Sequence, residues 1–127
     1  MYRYAKAKLF KAVIQTIKDI NPEWISAKVR FPKIDVHTWI ENAPIDKEQG
    51  LREISFIVEG YSNTSYEEAV NMANEVAEKL CENKLSVEGV EVVSIAPETS
   101  EEIAEDDGNN IVIYRQLNRL IATIKNK

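Results

Sequence analysis

Residues 52–70 read Arg52-Glu53-Ile54-Ser55-Phe56-Ile57-Val58-Glu59-Gly60-Tyr61-Ser62-Asn63-Thr64-Ser65-Tyr66-Glu67-Glu68-Ala69-Val70, and within them the hydrophobic period changes from two to about 3.6. Ile54, Phe56 and Val58 fall on one side of an extended chain and Glu53, Ser55 and Glu59 on the other, which predicts a half-buried strand. The polar break that follows carries a helix start: Thr64 with Glu67, or Ser65 with Glu68, fits a reciprocal capping box. Beyond it Tyr66, Ala69, Val70, Ala73, Val76, Ala77 and Leu80 form one apolar stripe. Glu67, Glu68, Asn71, Glu75, Glu78 and Glu82 oppose that stripe. Alanine predominates in it, and small side chains allow close approach, so this helix is expected to lie flat on a sheet. Asn83 is a plausible left-handed terminator.

Upstream, Leu9, Phe10, Val13, Ile14, Ile17 and Ile20 recur at helical spacing, and Asn21-Pro22 ends that helix because proline disfavours α geometry before it and has no N–H to donate. Its lysines would also suit a membrane-surface or targeting segment, but a packed helix accounts for the whole stripe. Period-two alternation at 27–31 and 36–40 predicts two strands, or one broken near Pro32, and the polar stretch 42–50 with Pro44 and Gly50 predicts a loop. Downstream, β-branched content predicts a strand over 87–95. Pro97 then leads into an acidic run expected to be a solvated loop, closed by an Asp106-Asp107-Gly108-Asn109 turn. Ile111-Val112-Ile113-Tyr114 predicts a return strand, although Leu117, Leu120, Ile121 and Ile124 also fit helical spacing, leaving 115–124 open. The expected order is α-β-β-β-α-β-β. This is an α+β fold: a mainly antiparallel sheet on which an N-terminal helix and a second helix pack. At 127 residues the chain is expected to be a single domain, 1–127.

The composition narrows the function classes. With 44% apolar residues the chain can fill a core, which excludes disorder of the whole chain. No apolar run approaches the ~20 residues of a membrane-crossing helix. The net charge of −5 hides an asymmetry: residues 1–63 hold 10 basic and 8 acidic side chains, residues 64–127 hold 6 and 13. Residues 1–18 carry Arg3, Lys6, Lys8, Lys11 and Lys18 with no acid, whereas Glu98, Glu101, Glu102, Glu105, Asp106 and Asp107 are purely acidic. Such a chain is a poor binder of nucleic acid phosphates. Trp24, Trp39, Tyr61 and Tyr66 could stack bases, but the acidic surroundings argue against it.

Catalytic signatures are lacking. His37 is the only histidine, set in a strand beside Trp39 and opposite Val36 and Ile40, with no ligand or triad partner at a suitable spacing, so it reads as structural. Cys81 is the only cysteine, as in a reducing compartment. Glu78, Glu82 and the helix end should raise its pKa, and it reads as a small buried hydrophobe. The acidic run lacks the register of a calcium loop. There is no glycine-rich phosphate motif and no nucleophile elbow. We expect no catalysis, no metal and no cofactor; a small enzyme using Glu or Asp is the weakest reading.

The helix Leu9-Phe10-Lys11-Ala12-Val13-Ile14, the Phe31-Pro32 step, the strand over 52–62, the Tyr66-Glu67-Glu68-Ala69 helix and the closing strand after Asp106-Asp107-Gly108 together resemble the tail-completion, or tail-terminator, proteins of long-tailed phages and prophages. The chain departs from the commoner pattern in a longer 42–50 loop and a more acidic 98–107 segment. The resemblance implies a homo-oligomeric ring, usually six-fold, that caps the tail tube and joins tail to head. Its partners would be tail-tube and head-connector proteins, with DNA passing through without specific binding. It would reside in the virion, and in the host cytoplasm during assembly, with no membrane partner. In such a ring Glu98, Glu101, Glu102, Glu105, Asp106 and Asp107 are candidate channel-facing residues that repel passing phosphates. The alternative reading is a cytoplasmic α/β adaptor that holds a peptide along a sheet edge.

Overall fold

The computed structural model describes residues 5–25, 30–42, 50–82, 85–106 and 112–126. Helix α1, Ala5–Ile20, has no glycine or proline inside it and buries Ala5, Leu9, Val13 and Ile17. It ends as its sequence dictates: the Asn21 N–H still reaches Ile17 O at 2.9 Å, and Pro22 begins a single 3-10 turn, Pro22–Ile25. Phe10, placed by spacing on the apolar stripe, is instead 41% exposed, with its ring edge against Trp39.

Strand β1 is Lys33–Glu41 and β2 is Leu51–Ser62. Among the described residues only one strand therefore precedes β2. Residues 27–29 of the expected earlier strand lie outside the described residues, and Arg30 to Pro32 do not join the ladder, consistent with a proline that has no N–H to give. Helix α2, Tyr66–Glu82, starts on the second capping frame: Ser65 Oγ accepts from the Glu68 N–H at 3.1 Å. The Glu68 carboxylate accepts from the Ser62 hydroxyl at 2.6 Å, so the box is reciprocated one element earlier, at the end of β2. Asn83 lies outside the described residues.

The strand expected over 87–95 is split by a Glu88-Gly89 turn, with Gly89 at φ 73°, into β3, Ser86–Val87, and β4, Val90–Asp106. β5 is Val112–Asn126, which resolves 115–124 as strand. The observed order is thus α-β-β-α-β-β-β. The acidic run is the main correction. Glu98, Glu101, Glu102, Glu105 and Asp106 belong to β4 and not to a loop, and Asp107 lies outside the described residues. β5 supplies a ladder partner as far as Asp106, paired with Val112. Residues with poor strand propensity are held there by cross-strand pairing, and charge on an outer strand guards against unwanted edge pairing.

The five strands are antiparallel in the order β1-β2-β5-β4-β3. Residue pairs such as Ile54 with Ala122, Phe56 with Leu120 and Gly60 with Gln116 point toward the helices. Ser55, Ile57, Glu59 and Tyr61, with their β5 partners Ile121, Arg119, Leu117 and Arg115, point to the opposite face. Among the described residues no helix lies on that second face. The core joins Leu9, Val13 and Ile17 of α1 to Ile54, Phe56 and Val58 of β2, Val76 and Leu80 of α2, and Leu120 and Ile124 of β5. Phe56 and Val58 are fully buried, as the alternation requires, but Ser55, Ile57 and Glu59 on the opposite side are buried as well, so β2 is covered on both faces and is not the half-buried strand its pattern predicts.

The alanine-rich face of α2 does lie flat on the sheet. A Cβ added at Gly60 would sit 2.7 Å from Ala69 O and 3.3 Å from Ala73 Cβ, so glycine is what lets the helix backbone come this near to β2. In β1, Thr38 adopts φ 58° and the register with β2 shifts between His37 and Ile40. This bulge carries Trp39 to the helix side, where it stacks on Phe56 at 4.5 Å, and sends Ile40 to the His37 face, where it is 45% exposed. The simple alternation placed Ile40 opposite His37; the extra residue reverses it.

Candidate functional site

On the helix-free face a carboxylate is fully buried. Glu59 faces away from α1 and α2 by the β2 alternation, and its two oxygens are held by different partners. His37 Nε2 lies 2.6 Å from Oε1, and Arg115 Nε donates to Oε2. The Tyr61 hydroxyl also bonds to the carboxylate. Burial pushes the Glu59 carboxyl up, but the hydrogen bonds from Arg115, His37 and Tyr61 outweigh it and hold it below the ordinary value of 4.5. Burial, followed by the Glu59 charge, pushes the Tyr61 phenol up. With Nε2 donating to the carboxylate, Nδ1 of a neutral His37 is left to accept from the Thr38 hydroxyl, 2.8 Å away. His37 is therefore tied to a buried carboxylate, a partner that its sequence spacing did not show. Both Glu59 oxygens are engaged, so the arrangement staples β1, β2 and β5 and offers no free base.

The sequence pattern marked Glu59 only as a residue on the outward side of its strand. Its burial comes from the side chains of Tyr61, His37 and Arg115, contributed by three strands, which no local pattern displays. A second polar group was also missed. Gln116 and Asn118 are buried on the helix side; Gln116 Nε2 donates to Ser100 Oγ at 2.5 Å and to Asn118 Oδ1 at 2.8 Å, and Asn118 Nδ2 donates to Asn74 Oδ1 at 2.9 Å. This ladder links α2, β5 and β4 across the interior. The available signal was the polar interruption of the inward positions of β5.

The acidic residues do not form one surface. By register Glu101 pairs with Leu117 on the helix-free side and Glu102 with Gln116 on the helix side, while Glu98 sits in a bulge between Pro97 and Thr99. Glu98, Glu101 and Glu102 are all exposed. Among the described residues no group of three or more His, Cys, Asp or Glu is placed to hold a metal ion. β3 pairs only with Val90 and Glu91, so from Val92 onward the outer edge of β4 has no strand partner among the described residues.

Beside this edge, between α2 and β4, runs a groove of ≈ 410 Å³. Buried Leu120 forms its base and Ala77 and Pro97 its apolar sides, with Glu78 and Glu98 exposed along it. Cys81 also lines the groove and is exposed, not buried as its place beside the apolar stripe suggested. Helix α2 has turned its small alanine face inward by then, leaving position 81 at the margin. Partial burial and then the Glu82 charge push the thiol up, in the direction expected of an unreactive cysteine.

No protein-family model matches the chain, and no curated protein matches it in sequence. Its fold is shared with a chain from a solved structure described as "Virion of native gene transfer agent (GTA) particle", at a TM-score of 0.79 and 12% identity, over 98% of this chain and 99% of that one. The two chains therefore share one fold from end to end.

Proposed function

We propose that this chain is a structural subunit of a phage-like particle: a tail-completion protein that forms a ring, caps the tail tube and joins it to the head. The observation that carries the reading is the end-to-end fold match to a chain of a gene transfer agent virion, with 98% and 99% of the two chains superposed. The sequence resemblance to tail-terminator proteins supports the finer role. The long β4–β5 hairpin and the unpaired β4 edge suit contacts between subunits, and the proposed work is assembly, without a catalytic step or cofactor.

In such a ring the acidic strand keeps DNA phosphates from adhering to the channel. Strand alternation limits which carboxylates do so: Glu101, on the helix-free face, lines the channel in this reading, while Glu102 points the other way. The unpaired β4 edge equally suits the adaptor reading, in which a peptide adds as a further strand. Deleting the gene from its particle-producing host separates the two. The ring reading expects detached heads and overlong tail tubes in electron micrographs, with the protein labelled at the head–tail junction when restored. Normal particles from the deletion strain, or particles without the label, would refute it.

A further inference from the structure

Charge on the described surface is sorted between two places. On α2 and β4 the exposed ionised groups include Glu75, Glu78, Glu82, Glu98, Glu101 and Glu102, with Lys79 as a cation among them. On α1 the exposed set is the reverse: Lys8, Lys11 and Lys18, with Asp19 at its end bonded to Gln15. Next to Lys11 the ring of Phe10 is 41% exposed, a large apolar group on an otherwise cationic surface. The acidic side has the complementary shape: the apolar groove over Leu120, between Ala77 and Pro97, with Glu78 and Glu98 along it.

We infer that α1 of one subunit docks in the α2–β4 groove of a second copy, with Phe10 between Ala77 and Pro97 and Lys11 against Glu78 and Glu98. Charge selects this occupant. Two copies meeting through the same acidic surface would set carboxylate against carboxylate, and two α1 faces would set lysine against lysine. Only the pairing of unlike surfaces brings opposite charges together. A contact between different patches of identical chains is heterologous, and it closes into a ring when the rotation per step permits. The inference rests on the ring reading and supplies its subunit interface. The contact uses Glu78 and Glu98 and leaves Glu101, on the other sheet face, free for the channel.

Light scattering and sedimentation of the purified full chain test it. Between about 0.1 M and about 1 M salt the Debye length falls from ~10 Å to ~3 Å, so association should weaken with salt. Lys11→Glu and Glu98→Lys should each weaken association about tenfold, and the doubly reversed chain, or a mixture of the two single variants, should regain most of it. Phe10→Ala should weaken association while leaving the circular dichroism spectrum unchanged. Cys81, the chain's only cysteine, reports occupation of the groove, because its alkylation should be slower in the oligomer than in the dilute monomer. An oligomer indifferent to both charge reversals, or one in which Cys81 reacts at the monomer rate, overturns this contact and leaves the ring reading standing. A chain monomeric at every salt and concentration also overturns it, and the ring reading is then decided by the label at the head–tail junction.

Discussion

Replacing Gly60 with alanine adds one methyl group where β2 meets α2, and the structure fixes what that methyl meets. The new Cβ would lie 2.7 Å from Ala69 O and 3.3 Å from Ala73 Cβ. The first of these is backbone in the first turns of a helix, which cannot swing aside as a side chain can. Overpacking of this kind costs about 1–3 kcal/mol. The loss of glycine entropy from the unfolded chain offsets about 0.4–1 kcal/mol of it. Because the closer contact is with backbone, the cost lies in the upper part of that range, about 2–3 kcal/mol, and the net is a destabilisation of roughly 1–2.6 kcal/mol. An unfolding entropy of about 2.1 cal/mol/K per residue gives 127 residues ~4 °C per kcal/mol, so the melting temperature should fall by roughly 4–10 °C. Thermal melts followed by circular dichroism read this directly. Combining Gly60→Ala with Ala73→Gly removes the 3.3 Å contact but leaves the 2.7 Å one, so little stability should return. An unchanged or higher melting temperature for Gly60→Ala would mean that α2 stands farther from the sheet, and the close-approach account would be wrong.

Phe56→Ala, which empties the centre of the core and removes the ring under Trp39, should cost about 3–5 kcal/mol in denaturant unfolding. The Glu59 carboxyl has a folded pKa below its ordinary 4.5, so it contributes stability that is present above the unfolded value and lost as pH falls through the folded one. Glu59→Gln, which leaves Arg115 and His37 partly exposed to water, should cost about 1.5–3 kcal/mol near neutrality and flatten the acid limb of the stability profile, as measured by urea unfolding between neutral and acid pH. The raised Tyr61 phenol titrates late, and its contribution to stability fades as pH rises from the unfolded value toward the folded one; Tyr61→Phe should remove a late-ionising component of the ultraviolet titration. Glu101→Gln should change stability by no more than about 0.5 kcal/mol, because the side chain is exposed. DNA delivery by assembled particles at an unaltered rate would then remove the channel role.

What the sequence disclosed, and what it hid, divides along a physical line. Both helices, their stripes and the alternation of β2 were readable because each is a repeat within one segment, decided by neighbours three, four or two residues away. The acidic run was misplaced because its strand character comes from β5, and Glu, Asp and Ala have no strand preference of their own. The Thr38 bulge was invisible for a related reason: β-branched threonine rarely takes positive φ, and only the fit of Trp39 on Phe56 and of His37 on Glu59 shows that an extra residue is accommodated. The candidate site followed the same rule. The carboxylates were found as a run, but their distribution over two faces depends on register, and the Glu59 cluster draws on three strands that are far apart in the chain.

The bulge at Thr38 also has a bearing on how the protein finds its one native pairing. A plain edge strand can slide along its neighbour by two residues and keep its apolar side inward, so its alignment is weakly determined. β1 cannot slide in this way. Its kink sits at one place along the strand, and a slip of two residues would carry it past Phe56, separating Trp39 from Phe56 and His37 from Glu59. The positive φ at Thr38 thus acts as an index mark for the outermost strand on that side of the sheet. Removal of residue 38, and not its replacement, is the change that would erase the mark: Trp39 would then fall opposite Phe56 in a plain ladder, with Ile40 and Glu41 keeping their partners but with no kink to fix the alignment.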